Sequence, residues 1–261
     1  MQPMLASNAD ASKLTIMLAG LVLTHCTLIG SVCSAPPDAR GDPPADPRDP
    51  LITEVLYAVP TYEGDANRDG KRSATGDEFI ELTNPFDTPI QLRGYTLTDR
   101  NPPDQGQMRF VFPTLTLQPG EMVVVFNGLD AKWKGPVGDD RRAPPAPNEL
   151  FHDAWVLTMH NSSSLTGLAN GGDWVLLTAP DGRIVRCLRW GRTAEYPPIN
   201  DERLIELPET FVGSVQLDPA TGKFREHRAL GGQLGALPFS PGLFGPPRES
   251  TPSRAVQPPS H

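Results

Sequence analysis

From Leu51 onward the chain repeats short apolar segments rich in β-branched residues, each closed by Gly, Pro, Asn or Asp. Residues 51–57 (LITEVLY) read as the first strand. Residues 78–83 (EFIELT) alternate polar with apolar, the period of two that turns one face of a strand inward. Residues 121–127 (EMVVVFN), entered through the turn Pro119-Gly120, form the most apolar segment and are predicted to be a central strand. Segments 94–98, 109–112, 115–117, 155–159, 173–178 and 183–190 complete the set. The turn signals Asn170-Gly171-Gly172 and Pro180-Asp181-Gly182 bracket 173–178, as antiparallel hairpins require. Many short strands with no helical periodicity predict an all-β sandwich or barrel.

Two long connectors interrupt the pattern, 129–149 with Trp133 and 192–209 with Tyr196. Structureless loops of this length are uncommon in a compact domain, so they read as surface insertions, with a functional loop as the alternative. Outside the patterned region, 34–50 and 246–261 have no apolar periodicity and are dense in Pro. They read as extended arms. The organisation is therefore an export signal at 1–34, a Pro-rich linker at 35–50, a folded body at 51–245 and a disordered tail at 246–261.

Composition supports this division. The 261 residues include 30 Pro and 24 Gly, which disfavours helical bundles and parallel α/β folds. A net charge of -8 without a basic face lacks the electrostatic footprint of a nucleic-acid binder. The apolar run at 14–30, preceded by Lys13 and followed by Val32-Cys33-Ser34-Ala35, fits a secretory signal cleaved after Ser34. It is short for a spanning helix and is interrupted by His25. An uncleaved anchor and a lipidated cysteine are the alternatives, although His25 and Val32 stand before Cys26 and Cys33 where lipoprotein sites want Gly, Ala or Ser. The cleaved chain keeps Cys187 alone, in an apolar strand, where a small buried hydrophobe is expected.

An ordered series of fragments resembles the lamin-tail domain in its secreted bacterial form. It runs through 51–57, 64–70 (GDANRDG), 77–85 (DEFIELTNP), 92–99 (LRGYTLTD), Phe112-Pro113, 117–120 (LQPG) and 123–126 (VVVF). The fragments 170–173 (NGGD) and 239–242 (FSPG) look like the family's second half. Tyr95 stands where the family usually has Trp, in a position expected to be core. The resemblance implies an immunoglobulin-like antiparallel β-sandwich and a non-catalytic, exported module whose partner is a protein or cell-surface ligand. The mature domain is expected not to insert in a membrane. Nucleic-acid binding, associated with nuclear relatives, is not carried over to an exported acidic chain.

One segment carries site chemistry. Asp65, Asn67 and Asp69 place oxygen ligands at positions 1, 3 and 5 of a calcium loop, Gly70 supplies the sharp turn at 6, and the Lys71 carbonyl falls at 7. Ser73 takes the ninth place, and Gly76 stands where a bidentate acid is expected. Asp77 or Glu78, one and two residues on, closes the shell if a residue loops out. Calcium is therefore the expected cofactor, as a structural staple. A solvated Asn/Asp/Gly loop is the competing reading, favoured by the neighbouring Arg68, Lys71 and Arg72. His152, Asp153 and His160 are the alternative constellation, that of a metal-dependent hydrolase. No nucleophile elbow, phosphate loop or HExxH motif is present. Glu54 and Glu81 read as outward-facing strand carboxylates rather than paired catalytic acids, and Asn161-Ser162-Ser163 matches a glycosylation acceptor.

Overall fold

The computed structural model describes residues 48–193, 196–210, 212–233 and 237–245. The expected export signal, most of the linker and the tail lie outside the described residues. Thirteen strands are found among those described: β1 (Leu51–Ala58), β2 (Phe79–Thr83), β3 (Ile90–Gln91), β4 (Thr96–Thr98), β5 (Arg109–Val111), β6 (Thr116–Leu117), β7 (Met122–Phe126), β8 (Trp155–Thr158), β9 (Gly172–Thr178), β10 (Ile184–Gly191), β11 (Leu204–Glu206), β12 (Gly213–Asp218) and β13 (Lys223–Glu226). The helical segments between them are three short 3-10 turns. They form a six-stranded sheet, β13-β12-β1-β2-β7-β8, facing a five-stranded sheet, β11-β10-β9-β4-β5, with β3 and β6 as a small ribbon.

Pairing is antiparallel except at two edges, where β8 runs parallel to β7 and β11 parallel to β10. A parallel neighbour needs a crossover of about a dozen residues or more, whereas an antiparallel one needs only a tight turn. The connector 129–149 lies in the first crossover, and the part of 192–209 that precedes β11 lies in the second. They are consequences of the topology rather than insertions into it. The reading of 192–209 as unstructured is corrected by β11 within it.

The two sheets bury one core between them. Val55 and Tyr57 of β1, Ile80 and Leu82 of β2, and Val123 and Val125 of β7 meet Leu97, Phe110, Val175, Leu177, Leu188 and Trp190 from the other sheet. Tyr57 and Trp190 stack across the interface, with centroids 4.2 Å apart and planes 9° from parallel. Tyr95 is buried as expected, and its hydroxyl donates to Asp49, which also forms a bidentate pair with Arg183. Cys187 is fully buried, and burial pushes its thiol up to about 12.

The alternation in β1, β2 and β7 sends the intervening residues to the opposite face of the six-stranded sheet. A register shift between Ile52 and Glu54 resets the alternation in β1. This second face carries Leu56, Phe79, Val124, Phe126 and Val156, and it is also buried. Ala66, Trp133, Phe151 and Phe239 cover it. Each comes from a connecting or terminal segment, so loops supply a third layer over the sandwich.

Candidate functional site

The 59–78 connection between β1 and β2 is folded by its own carboxylates. Asp65 accepts the N–H groups of Asp69 (3.1 Å) and Gly70 (2.9 Å), while the Asn67 side-chain oxygen also accepts from Asp69 (3.0 Å). Asp69 accepts from the Lys71 N–H at 2.8 Å and, across to the next loop, from the Lys132 N–H at 3.0 Å. Asp77 reaches back into the loop, where one oxygen accepts from Asn67 N–H at 2.9 Å and the other from Ser73 N–H. Gly70 has φ of +96°, the left-handed turn its place in the motif demands. Gly76 lies so close to Leu129 that a Cβ would sit 2.4 Å from its carbonyl oxygen. These contacts bring Asp65, Asn67, Asp69 and Asp77 to one loop.

Burial raises the Asp77 carboxyl to about 6, and the charges of Asp65 and Asp69 push in the same direction. The Asn67 side-chain nitrogen is buried without a partner. Among the described residues no three His, Cys, Asp or Glu side chains converge as a group able to hold a metal ion. The carboxylates instead cap backbone amides. The cationic neighbours do not all neutralise the loop: the Arg68 guanidinium lies over the Phe151 ring and Arg72 donates to the carbonyls of Val59 and Pro60.

Glu78, the other acid considered for closing this loop, turns away from it. Its carboxylate accepts from Leu168 N–H at 3.0 Å and from the Asn127 amide at 3.4 Å. There it joins Asp99 and Asp173 in a buried acid cluster. Burial pushes all three carboxyls up, and Asp173 adds to the shift at Glu78 and Asp99. Asp99 caps the turn to Met108, and Asp173 accepts from the N–H groups of Ala169, Trp174 and Arg100. In the sequence, Asp99 and Asp173 each close a fragment of the family resemblance, 92–99 and 170–173.

The hydrolase residues are not assembled. His152 and Asp153 stand in left-handed conformations just before β8, whereas His160 lies beyond its other end, 3.8 Å from Asp139. All three side chains are exposed. Their two ends of the strand offer no common point for an ion or a proton transfer.

The largest departure from the sequence reading concerns Glu54 and Glu81. They are cross-strand partners on β1 and β2, and both are completely buried rather than outward-facing. They lie beneath segment 238–245, whose Ser240 and Gly242 N–H groups donate to them at 3.0 and 2.6 Å. The only sequence signal for this was the pairing of acids at equivalent strand positions with a late Ser-Pro-Gly turn.

The sequence profile of the Lamin Tail Domain family matches residues 43–192, more than half of the chain. That span contains the 59–78 loop and both partners of the Glu54–Glu81 pair, and it stops before β11. No curated protein matches significantly.

Proposed function

Because the chain belongs to the Lamin Tail Domain family, a family of immunoglobulin-like β-sandwiches, we propose that it works without catalysis as an exported binding or structural module stapled by calcium. The observation that carries the calcium reading is the inward turn of Asp65, Asn67, Asp69 and Asp77 in the 59–78 loop. Their order follows a calcium loop, with Asp77 taking the closing role one residue late. Calcium would be held by Asp65, Asn67, Asp69 and Asp77, and it would replace some of the carboxylate–amide bonds of the loop.

A site of this extracellular type needs an affinity of only about 10⁻⁴–10⁻³ M. Calorimetric melting in calcium against chelator tests it. Calcium is expected to raise Tm, and the variant Asp65→Ala with Asp69→Ala loses the increment. Identical melting curves for the natural protein in both conditions sink the reading. Because Asp77 holds its proton up to about 6, calcium competes with that proton. Affinity is therefore expected to rise as pH increases through about 6, and Asp77→Asn removes both the pH dependence and much of the binding.

The proposed partner is a protein or cell-surface ligand, and the net charge of -8 disfavours nucleic acid. Export is proposed from the apolar run at 14–30 and the small residues Ser34-Ala35 after it.

A further inference from the structure

On the second face of the six-stranded sheet, Glu54 and Glu81 form an acid pair apart from the proposed calcium loop. Segment 238–245 lies across them. The Ser240 N–H and hydroxyl donate to the two oxygens of Glu54 at 3.0 and 3.1 Å, and the Gly242 N–H donates to Glu81 at 2.6 Å. From β12, the Ser214 hydroxyl and the Gln216 amide donate to Glu54, and the Thr53 hydroxyl donates to Glu81. The same Gln216 amide donates to the Leu243 carbonyl at 2.9 Å, and Phe239 packs with Leu56, Phe79 and Phe126. The segment thus covers a buried site whose floor is two carboxylates.

Nothing in that site balances two negative charges. The groups facing the pair from β12 and the segment are hydroxyls, amides and carbonyls, and no cation acts on either glutamate among the described residues. Two adjacent carboxylates in a low-dielectric site cannot both ionise without a large electrostatic cost, and one retained proton relieves it. The walls are unequal. β1 and β2 are each laddered on both sides, and β12 lies between β1 and β13. Segment 238–245 has no strand in it, and its polar anchors include the two glutamates. It is the part that yields first.

We propose that residues 238–245 form a proton-dependent strap, docked while at least one of Glu54 and Glu81 is protonated and released when both carboxylates ionise. Release uncovers the apolar face around Leu56, Phe79 and Phe126. Both carboxyls sit above their ordinary range, Glu54 at about 8 and Glu81 at about 7; burial is the main cause at each, and at Glu54 the charge of Glu81 adds to it. A group whose folded pKa is raised stabilises the closed form below its ordinary pKa of 4.5, and that stabilisation is lost as pH climbs through about 7 to 8.

Hydrogen–deuterium exchange of the full chain at about pH 6 and about pH 9, corrected for intrinsic rates, tests the strap independently of calcium. Protection at Ser240 and Gly242 is expected to fall by about tenfold or more between the two, while the β7 amides stay protected. Glu81→Gln keeps an acceptor for the Gly242 N–H but cannot ionise, so its strap protection is expected to be the same at both pH values. Glu54→Gln serves the same purpose if the first variant does not fold. Gly242→Ala provides the open reference, since a Cβ there would lie 1.9 Å from the Phe151 carbonyl oxygen at a φ of +89°. Equal strap protection in the natural protein at both pH values overturns the proposal. So does an unchanged pH dependence in the neutral variant, or simultaneous loss of protection in β7 and the strap.

Discussion

Trp190 illustrates how much one side chain does in a sandwich without disulfides. Its ring stacks on Tyr57 across the two sheets, and its indole N–H donates to the Ala169 carbonyl at 2.9 Å. Trp190→Ala removes the largest fully buried side chain among the described residues and leaves that carbonyl with the Gly172 N–H, at 3.2 Å, as its donor. A loss of about 3–5 kcal/mol is expected in chemical denaturation, with the denaturation slope unchanged. Cys187 makes the opposite kind of prediction. It is fully buried and its thiol is pushed up to about 12, so very little thiolate exists at neutral pH. A thiol reagent is expected to label Cys187 of the native protein only at the rate of its opening, and at once in denaturant. Its burial was legible from the apolar run around it. That of Glu54 and Glu81 was not, because alternation assigns a residue to a face but does not say what covers the face.

At the level of elements, the crossover before β8 shows why a connector that looked like an insertion is structural. Trp133 packs on Phe126, with centroids 5.4 Å apart, and Val137 joins the same layer. Asn148 organises the path. Its amide donates to the carbonyls of Lys134 and Pro136, and its oxygen accepts from the Leu150 N–H at the start of the 3-10 turn Glu149–Phe151. Asn148→Ala takes away three hydrogen bonds around a buried position and is expected to cost about 2 kcal/mol or more. Deleting 129–149 would strip Phe126 and Val124 of cover as well as removing the crossover. A pull-down comparing the deletion with the whole chain therefore needs Asn148→Ala beside it as the control for folding. Segments β1, β2, β7, β9 and β10 were readable because each is long or strongly alternating. β11 and β12 were not: the first is short and half-exposed, and β12 mixes Ser, Gln and Asp among its apolar residues.

For the molecule as a whole, buried acids dominate the response to pH. Glu54, Glu81, Asp77 and Asp99 are all raised into the range of about 6 to 8, and Glu78 and Asp173 are raised as well. Each makes the folded state bind more protons than the unfolded chain, so stability is expected to decline as pH rises from about 5 to about 8. Burial holds His227 down to about 4, which works against that trend between 4 and 6.5. Two depressed imidazoles, His227 and the partly exposed His152, against six raised carboxyls leave the decline as the net result. Denaturant midpoints across that interval check it, and a midpoint that climbs steadily with pH contradicts it. Export is tested separately by the mass of the mature N-terminus: the secretory reading predicts a free Ala35, and the lipoprotein alternative a lipidated Cys33.

The sequence alone settled the all-β class, the identity of the major strands, the order of the acidic side chains in the 59–78 loop and the family resemblance. These depend on local periodicity, turn chemistry and spacing, which one chain segment carries by itself. Tertiary structure decided the rest: which edge pairs run parallel, that Asp77 and not Glu78 turns into the loop, and that Glu54 and Glu81 meet beneath residues 238–245. Each of those outcomes depends on contacts between separate segments of the chain, as when Leu168 draws Glu78 away from the loop. The burial that shifts a carboxyl or orders a strap exists only once the distant segment has arrived to exclude water.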